Sequence, residues 1–134
     1  MHKRYLALEI THWVFSDLAL TLPCEFSYDP QDPLAVAVVF NTDGESPVRW
    51  FFSRELLADG LATRSGEGEV VLWPVYDDDG EPATFCVRVG SAHKALFEIP
   101  ADPVAEWLAE TYTLVPRGTE LDGVDWDELV LLAE

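Results

Sequence analysis

A chain of 134 residues with 49% hydrophobic and 12% aromatic side chains is long enough to bury a core and too apolar to be disordered. Eight basic residues against 25 acidic ones leave a net charge of −17, a field that disfavours non-specific binding to nucleic acid or to an anionic membrane. Two cysteines, Cys24 and Cys86, show no metal-ligand spacing and are too few for a disulfide framework, which points to an intracellular protein.

The hydrophobic run after Met1–Arg4 is interrupted by Glu9 and His12, unlike a secretory signal, and no stretch approaches the roughly 18 apolar residues of a membrane span. Instead, residues 5–15 alternate. Leu6, Leu8, Ile10, His12 and Val14 share one face, and Tyr5, Ala7, Glu9, Thr11, Trp13 and Phe15 share the other. Alternation resumes after Ser16-Asp17, with Leu18, Leu20, Leu22, Cys24, Phe26 and Tyr28 on one side, so the two runs form a β-hairpin. Pro23 predicts an edge position or a bulge, because proline cannot donate to a ladder. Asp29–Pro33 is a turn, Leu34–Phe40 a strand apolar on both faces, and Asn41–Pro47 a hairpin loop.

The stretch from Val48 to Pro74 is the structural centre. Val48, Trp50 and Phe52 alternate with Arg49, Phe51 and Ser53, as a strand does. Ser53 then caps a short helix with Glu55 in its first turn, and Gly60 is its expected left-handed stop. A polar loop over 63–68 leads to a strand from Glu69 to Trp73, closed by Pro74. Asp77–Pro82 places its glycine fourth, not sixth, and Arg88 where a calcium loop needs glutamate, so it reads as a solvated hairpin turn. Strands Thr84–Val89 and Lys94–Ile99 follow.

Asp102 and Pro103 suit a helix start, and Val104, Trp107, Leu108 and Thr111 form its apolar stripe. Asp102, Glu106 and Glu110 lie opposite, either as a solvated face or as a docking face for a basic partner. A last helix is expected from Asp125, where Glu128 completes a capping box and Val124 and Leu129 staple it. Strands first and helices last give an α+β class with mainly antiparallel, twisted sheets, a short central helix and C-terminal helices, in one domain over 1–134. Strands apolar on both faces exceed what one small layer covers, which implies self-association.

No catalytic constellation emerges. His2 is terminal, His12 lies on a core face and His93 in a loop, with no catalytic, metal-binding or cofactor motif around them. Gly66-Glu67-Gly68 carries its own negative charge where a phosphate cradle needs none. The expectation is a protein without enzymatic activity, metal or cofactor. Trp13, Trp50, Trp73, Trp107 and Trp126 could stack bases, but the field has the wrong sign and most occupy core-compatible positions.

Five motifs in order carry a resemblance. They are Tyr28-Asp29-x-x-Asp32-Pro33 with Ala35-Val36, and Trp50, Phe52, Arg54, Leu56, Leu57, Gly60 and Leu61 in W-x-F-x-R-x-L-L-x-x-G-L. Gly66, Gly68, Val70, Trp73 and Pro74, then Leu96, Glu98 and Pro100, then Val115-Pro116-x-Gly118-Thr119-Glu120 complete the set. Together they resemble the SsgA-like proteins, actinobacterial regulators of sporulation-specific cell division. The resemblance implies a fold similar to the Whirly single-strand-binding proteins, assembled as a homotrimer. It also implies a regulator recruited from the cytoplasm to the septum through divisome proteins, with the tubulin-like ring protein a candidate partner. Within it, Tyr28, Asp29, Trp50, Phe52, Arg54, Leu57, Gly60, Trp73, Pro74, Pro116 and Gly118 read as architecture. The competing expectation is a single-stranded nucleic-acid binder of Whirly-like fold.

Overall fold

The structure, a computed structural model, describes residues 3–42 and 44–122. The strands are β1 (Arg4–Phe15), β2 (Leu18–Tyr28), β3 (Ala35–Phe40), β4 (Val48–Ser53), β5 (Val70–Tyr76), β6 (Pro82–Val89) and β7 (Ala95–Pro100). Helix α1 (Arg54–Gly60) follows β4, and α2 (Ala101–Leu114) follows β7. The helix expected from Asp125 lies outside the described residues.

Where several sheets were expected, these strands form a single antiparallel one, in the order β4-β3-β2-β1-β7-β6-β5. It is strongly curled. Phe40 and Phe97 stand three strand spacings apart, about 14 Å in a flat sheet, yet their rings stack at 4.1 Å. The inward residues of the alternating strands, among them Ile10, Phe26, Val38, Phe85 and Ile99, close around Val104, Trp107 and Leu108 of α2 and Leu57 of α1. The period-two pattern of β1 and β2 therefore chose the buried face, and the stripe of α2 supplied its cover. His12 lies on that inner face and stacks on Phe97 at 4.8 Å.

Local signals held where the chain decides locally. The Leu56 N–H donates to Ser53 Oγ (3.1 Å), capping α1. Asp77 Oδ1 accepts from the N–H groups of Asp79 and Glu81, closing the β5–β6 turn. Asn41, at φ 60°, turns the chain out of β3.

Four expectations are corrected. Gly60 is no left-handed stop: it is the last residue of α1, followed by Leu61 at φ −72°. Its glycine is required because a Cβ there would stand 2.5 Å from Leu72 Cβ on β5. Gly60→Ala should accordingly cost about 1–3 kcal/mol, measured by urea denaturation; an unchanged midpoint would show that β5 can yield.

Pro74 does not end β5, which runs on to Tyr76. Leu72 exchanges backbone hydrogen bonds of 2.8 Å with Ser65, on the side away from β6. Pro74, two residues on, shares that orientation, so its missing N–H falls on the free sheet edge. Pro23 sits in neither an edge strand nor a bulge, since β2 lies between β1 and β3. Its carbonyl accepts from Asn41 N–H (2.8 Å), just past the last β2–β3 pair, so its nitrogen faces the point where β3 has turned away. Asp102 does not cap α2, which begins at Ala101 after Pro100 and has no side-chain cap; Asp102 instead places its charge in the first turn.

Candidate functional site

Three regions far apart in sequence meet at Arg54: β2, α1, and α2 with the residues that follow it. Because Ser53 caps α1, Arg54 becomes its first residue and its side chain runs inward, leaving it 1% exposed. Nη1 donates to the Thr111 carbonyl of α2 (3.1 Å), and Nη2 donates to Glu120 Oε1 (3.0 Å). The guanidinium lies 4.9 Å from the centre of the Tyr28 ring and 4.0 Å from that of Tyr112. Tyr28 in turn donates its hydroxyl to the Pro33 carbonyl (2.9 Å).

The segment after α2 folds back onto this arginine. Glu120 Oε2 accepts from Gly118 N–H (2.9 Å), and Thr119 Oγ1 donates to the Pro116 carbonyl (2.7 Å). Gly118 holds φ 88°, the left-handed conformation that brings the glutamate round. Arg117 covers Tyr112 at 5.2 Å and donates to its hydroxyl (3.3 Å). The Glu120 backbone N–H, followed by Arg54, holds the Glu120 carboxyl below its ordinary 4.5. Burial raises the Tyr28 phenol, with Arg54 pulling the other way. The cluster is a charge-locked joint between β2, α1, α2 and the residues that follow α2.

Asp102, Glu106 and Glu110 occupy the solvent side of α2 and are exposed. Four-residue spacing sets them roughly 6 Å apart along the axis, and none has an ion-pair partner among the described residues. A groove of about 560 Å³ beside Asp102 is also lined by Asp77 and Glu81 from the β5–β6 turn. Those two enlarge the acidic surface, and helical spacing alone could not have shown them.

On the outer sheet face, Trp13 Nε1 donates to Glu98 Oε1 (2.9 Å), and Thr84 Oγ1 donates to Glu98 Oε2 (2.6 Å). Nearby, Trp73 carries Arg64 at 5.0 Å and Arg88 at 5.9 Å from its ring centre. Trp50 and Phe52 face inward, Phe52 buried, while Asp29 Oδ1 accepts from Gln31 N–H (2.9 Å) in the β2–β3 turn. Both thiols are buried. Burial, then Glu25, lifts Cys24 to about 12, and burial, then Glu98, lifts Cys86 to about 11. Alkylation by iodoacetamide at mildly alkaline pH should be at least about ten-fold slower than in urea. Comparable rates by mass spectrometry would contradict this packing.

Among the described residues no helix is long and apolar enough to cross a membrane, and no group of three or more His, Cys, Asp or Glu side chains could hold a metal ion. The family model of the Streptomyces sporulation and cell division protein SsgA matches residues 22–120. Sporulation-specific cell division protein SsgB of Frankia casuarinae is 41% identical over 106 residues, covering 78% of this chain and 73% of that one. SsgB of Streptomyces coelicolor is 37% identical over 116 residues, covering 86% and 83%. The crystal structure of an SsgA-like sporulation-specific cell division protein from Thermobifida fusca superposes with a TM-score of 0.83 at 30% identity, over 99% of this chain and 96% of that one. A further structure, from work correlating SsgB mutations with longitudinal cell division during sporulation of Streptomyces coelicolor, gives 0.81 at 35% identity, over 89% and 93%. The chain belongs to the SsgA family of sporulation and cell division proteins.

Proposed function

We propose that this protein is a non-catalytic regulator of sporulation-specific septation that works by binding other division proteins. The observation that carries the reading is the row of Asp102, Glu106 and Glu110 on α2. The helix is held by its buried stripe and by the Arg54 joint, so three carboxylates with no ion-pair partner among the described residues are presented in a constant geometry. Asp77 and Glu81 extend them. Such a surface suits a basic patch on a partner, and complementary charge speeds encounter and selects the partner. The tubulin-like ring protein is the first partner to test. The protein would act in the cytoplasm and be recruited to the septum.

We also propose a homotrimer of Whirly-like subunits. Exposed apolar side chains support association: Leu18 and Leu20 at the β1–β2 hairpin end, and Val48 and Phe51 on edge strand β4. Light scattering should give the mass of three 15.0 kDa chains, and a single-chain mass at micromolar concentration would rule the trimer out.

Co-sedimentation with polymers of the ring protein tests the partner. The wild type should pellet in a salt-sensitive manner, and a Glu106→Lys, Glu110→Lys variant should stay in the supernatant while melting normally. Equal pelleting of both proteins would remove the acidic row from the mechanism.

A further inference from the structure

The acidic helix face leaves unused an outer-sheet surface of the opposite sign. The register puts Trp13, Leu96, Arg88 and Val71 in one row across β1, β7, β6 and β5. Thr11, Glu98, Cys86 and Trp73 form the next row. Both rows face away from the core that α2 covers; Cys86 and Val71 are buried yet stand outside the main core cluster. At one end Trp13, Val14, Phe15, Cys86 and Leu96 line an open, mainly apolar groove of about 470 Å³, with Phe15 67% exposed. At the other end two guanidinium groups flank the Trp73 indole.

The charges are the informative part. Glu98 is the one carboxylate within the two rows, and it is held by Trp13 Nε1 and Thr84 Oγ1. Neither Arg64 nor Arg88 has an ion-pair partner among the described residues, although acidic groups outnumber basic ones three to one in the chain. A guanidinium lying over an indole is pre-oriented and keeps its N–H edge free for a carboxylate. Apolar groove and free cations therefore sit side by side on a rigid sheet.

We propose that this surface docks an extended acidic peptide segment of a partner protein, with one apolar side chain in the Trp13–Phe15–Leu96 groove and a carboxylate on Arg88 and Arg64. Two strand steps separate β1 from β6, about 10 Å, which an extended peptide covers in roughly three residues. The segment thus carries its carboxylate about three positions from its apolar anchor. A nucleic-acid strand fits less well, since it needs a continuous basic track and here two arginines flank a single indole in an otherwise acidic chain.

The test uses the full chain and a nine-residue peptide, flanked by glycine and serine, in which Leu-Phe is followed three positions on by Asp-Asp. Its twin carries Asn-Asn instead. By calorimetry the acidic peptide should bind at least about ten-fold more tightly than the twin, and should weaken as salt rises from about 50 to about 300 mM. R64Q and R88Q should each weaken binding several-fold, with circular dichroism and melting unchanged. Equal binding of the two peptides, or undiminished binding by the double variant, overturns the proposal. So does an oligothymidylate of about 12 nucleotides that holds the same arginines more tightly. Loss of self-association in R64Q/R88Q, without peptide binding by the wild type, would also overturn it and assign the face to a second copy. Co-sedimentation through α2 is scored separately, so either reading can fall without the other.

Discussion

Arg54→Ala is expected to lower the free energy of unfolding by about 3–5 kcal/mol. The substitution leaves the Glu120 carboxylate without its cation, removes one of the two donors to the Thr111 carbonyl, which keeps the Val115 N–H, and takes the guanidinium from between Tyr28 and Tyr112. It also empties the volume of the largest fully buried side chain in the described core. At roughly 4 °C per kcal/mol for a domain of this size, melting should fall by on the order of 15 °C. Arg54→Lys should recover only part of the loss. A point-like ammonium cannot reach Thr111 and Glu120 together or lie flat against two phenols. If alanine and lysine variants melt like the wild type, the joint does not hold the fold.

The same joint sets an acid sensitivity. Because the Glu120 carboxyl lies below its ordinary 4.5 in the folded protein, the folded state holds the deprotonated form more strongly than the unfolded state does. Its contribution is therefore complete above the unfolded value and is lost as pH falls through the depressed folded value. Denaturation midpoints measured from neutral pH into that acid range should drop less for Glu120→Gln than for the wild type. Parallel curves would show that Glu120 is not the group responsible.

Trp107→Ala is expected to cost about 3–5 kcal/mol. Trp107 is 4% exposed, meets Phe26 edge-on at 5.8 Å, and lies between Val104 and Leu108 on the stripe that closes the curled sheet. Among the described residues its Nε1 has no hydrogen-bond partner, so the ring is expected to contribute through packing. Trp107→Phe should therefore cost less than about 1.5 kcal/mol. Urea titration followed by circular dichroism separates the two, and similar losses would mean that the indole edge matters.

Half-burial made the strands legible. In β1, β2 and β4 each inward side chain alternates with an outward one, so one face could be named before any neighbour was known. Ser53 and the α2 stripe were equally local. Features decided by distant contacts were not. Gly60 looks like a helix stop because glycine after a helix commonly is one, whereas its size is demanded by Leu72 on β5. Pro74 looks like a terminator until the sheet order places its nitrogen on an open edge. Arg54 was visible as a motif residue, but Glu120 lies 66 positions away and nothing local links them. The acidic row on α2 could be read from helical spacing, while Asp77 and Glu81 join it only because the β5–β6 turn folds beside Asp102.

The sheet order also carries a kinetic consequence. Within β1 to β4, and within β5 to β7, each strand pairs with its sequence neighbours, so each group is a meander assembled from local hairpins. The two meet at β1 and β7 through three residue pairs, Thr11 with Glu98, His12 with Phe97 and Trp13 with Leu96. Local hairpins form in about 1–10 μs, whereas this seam joins residues some 85 positions apart and must first meet the entropy of closing that loop. Closing this seam is therefore expected to set the folding rate, with the Trp13–Glu98 hydrogen bond on the step that joins the two meanders into one curled sheet.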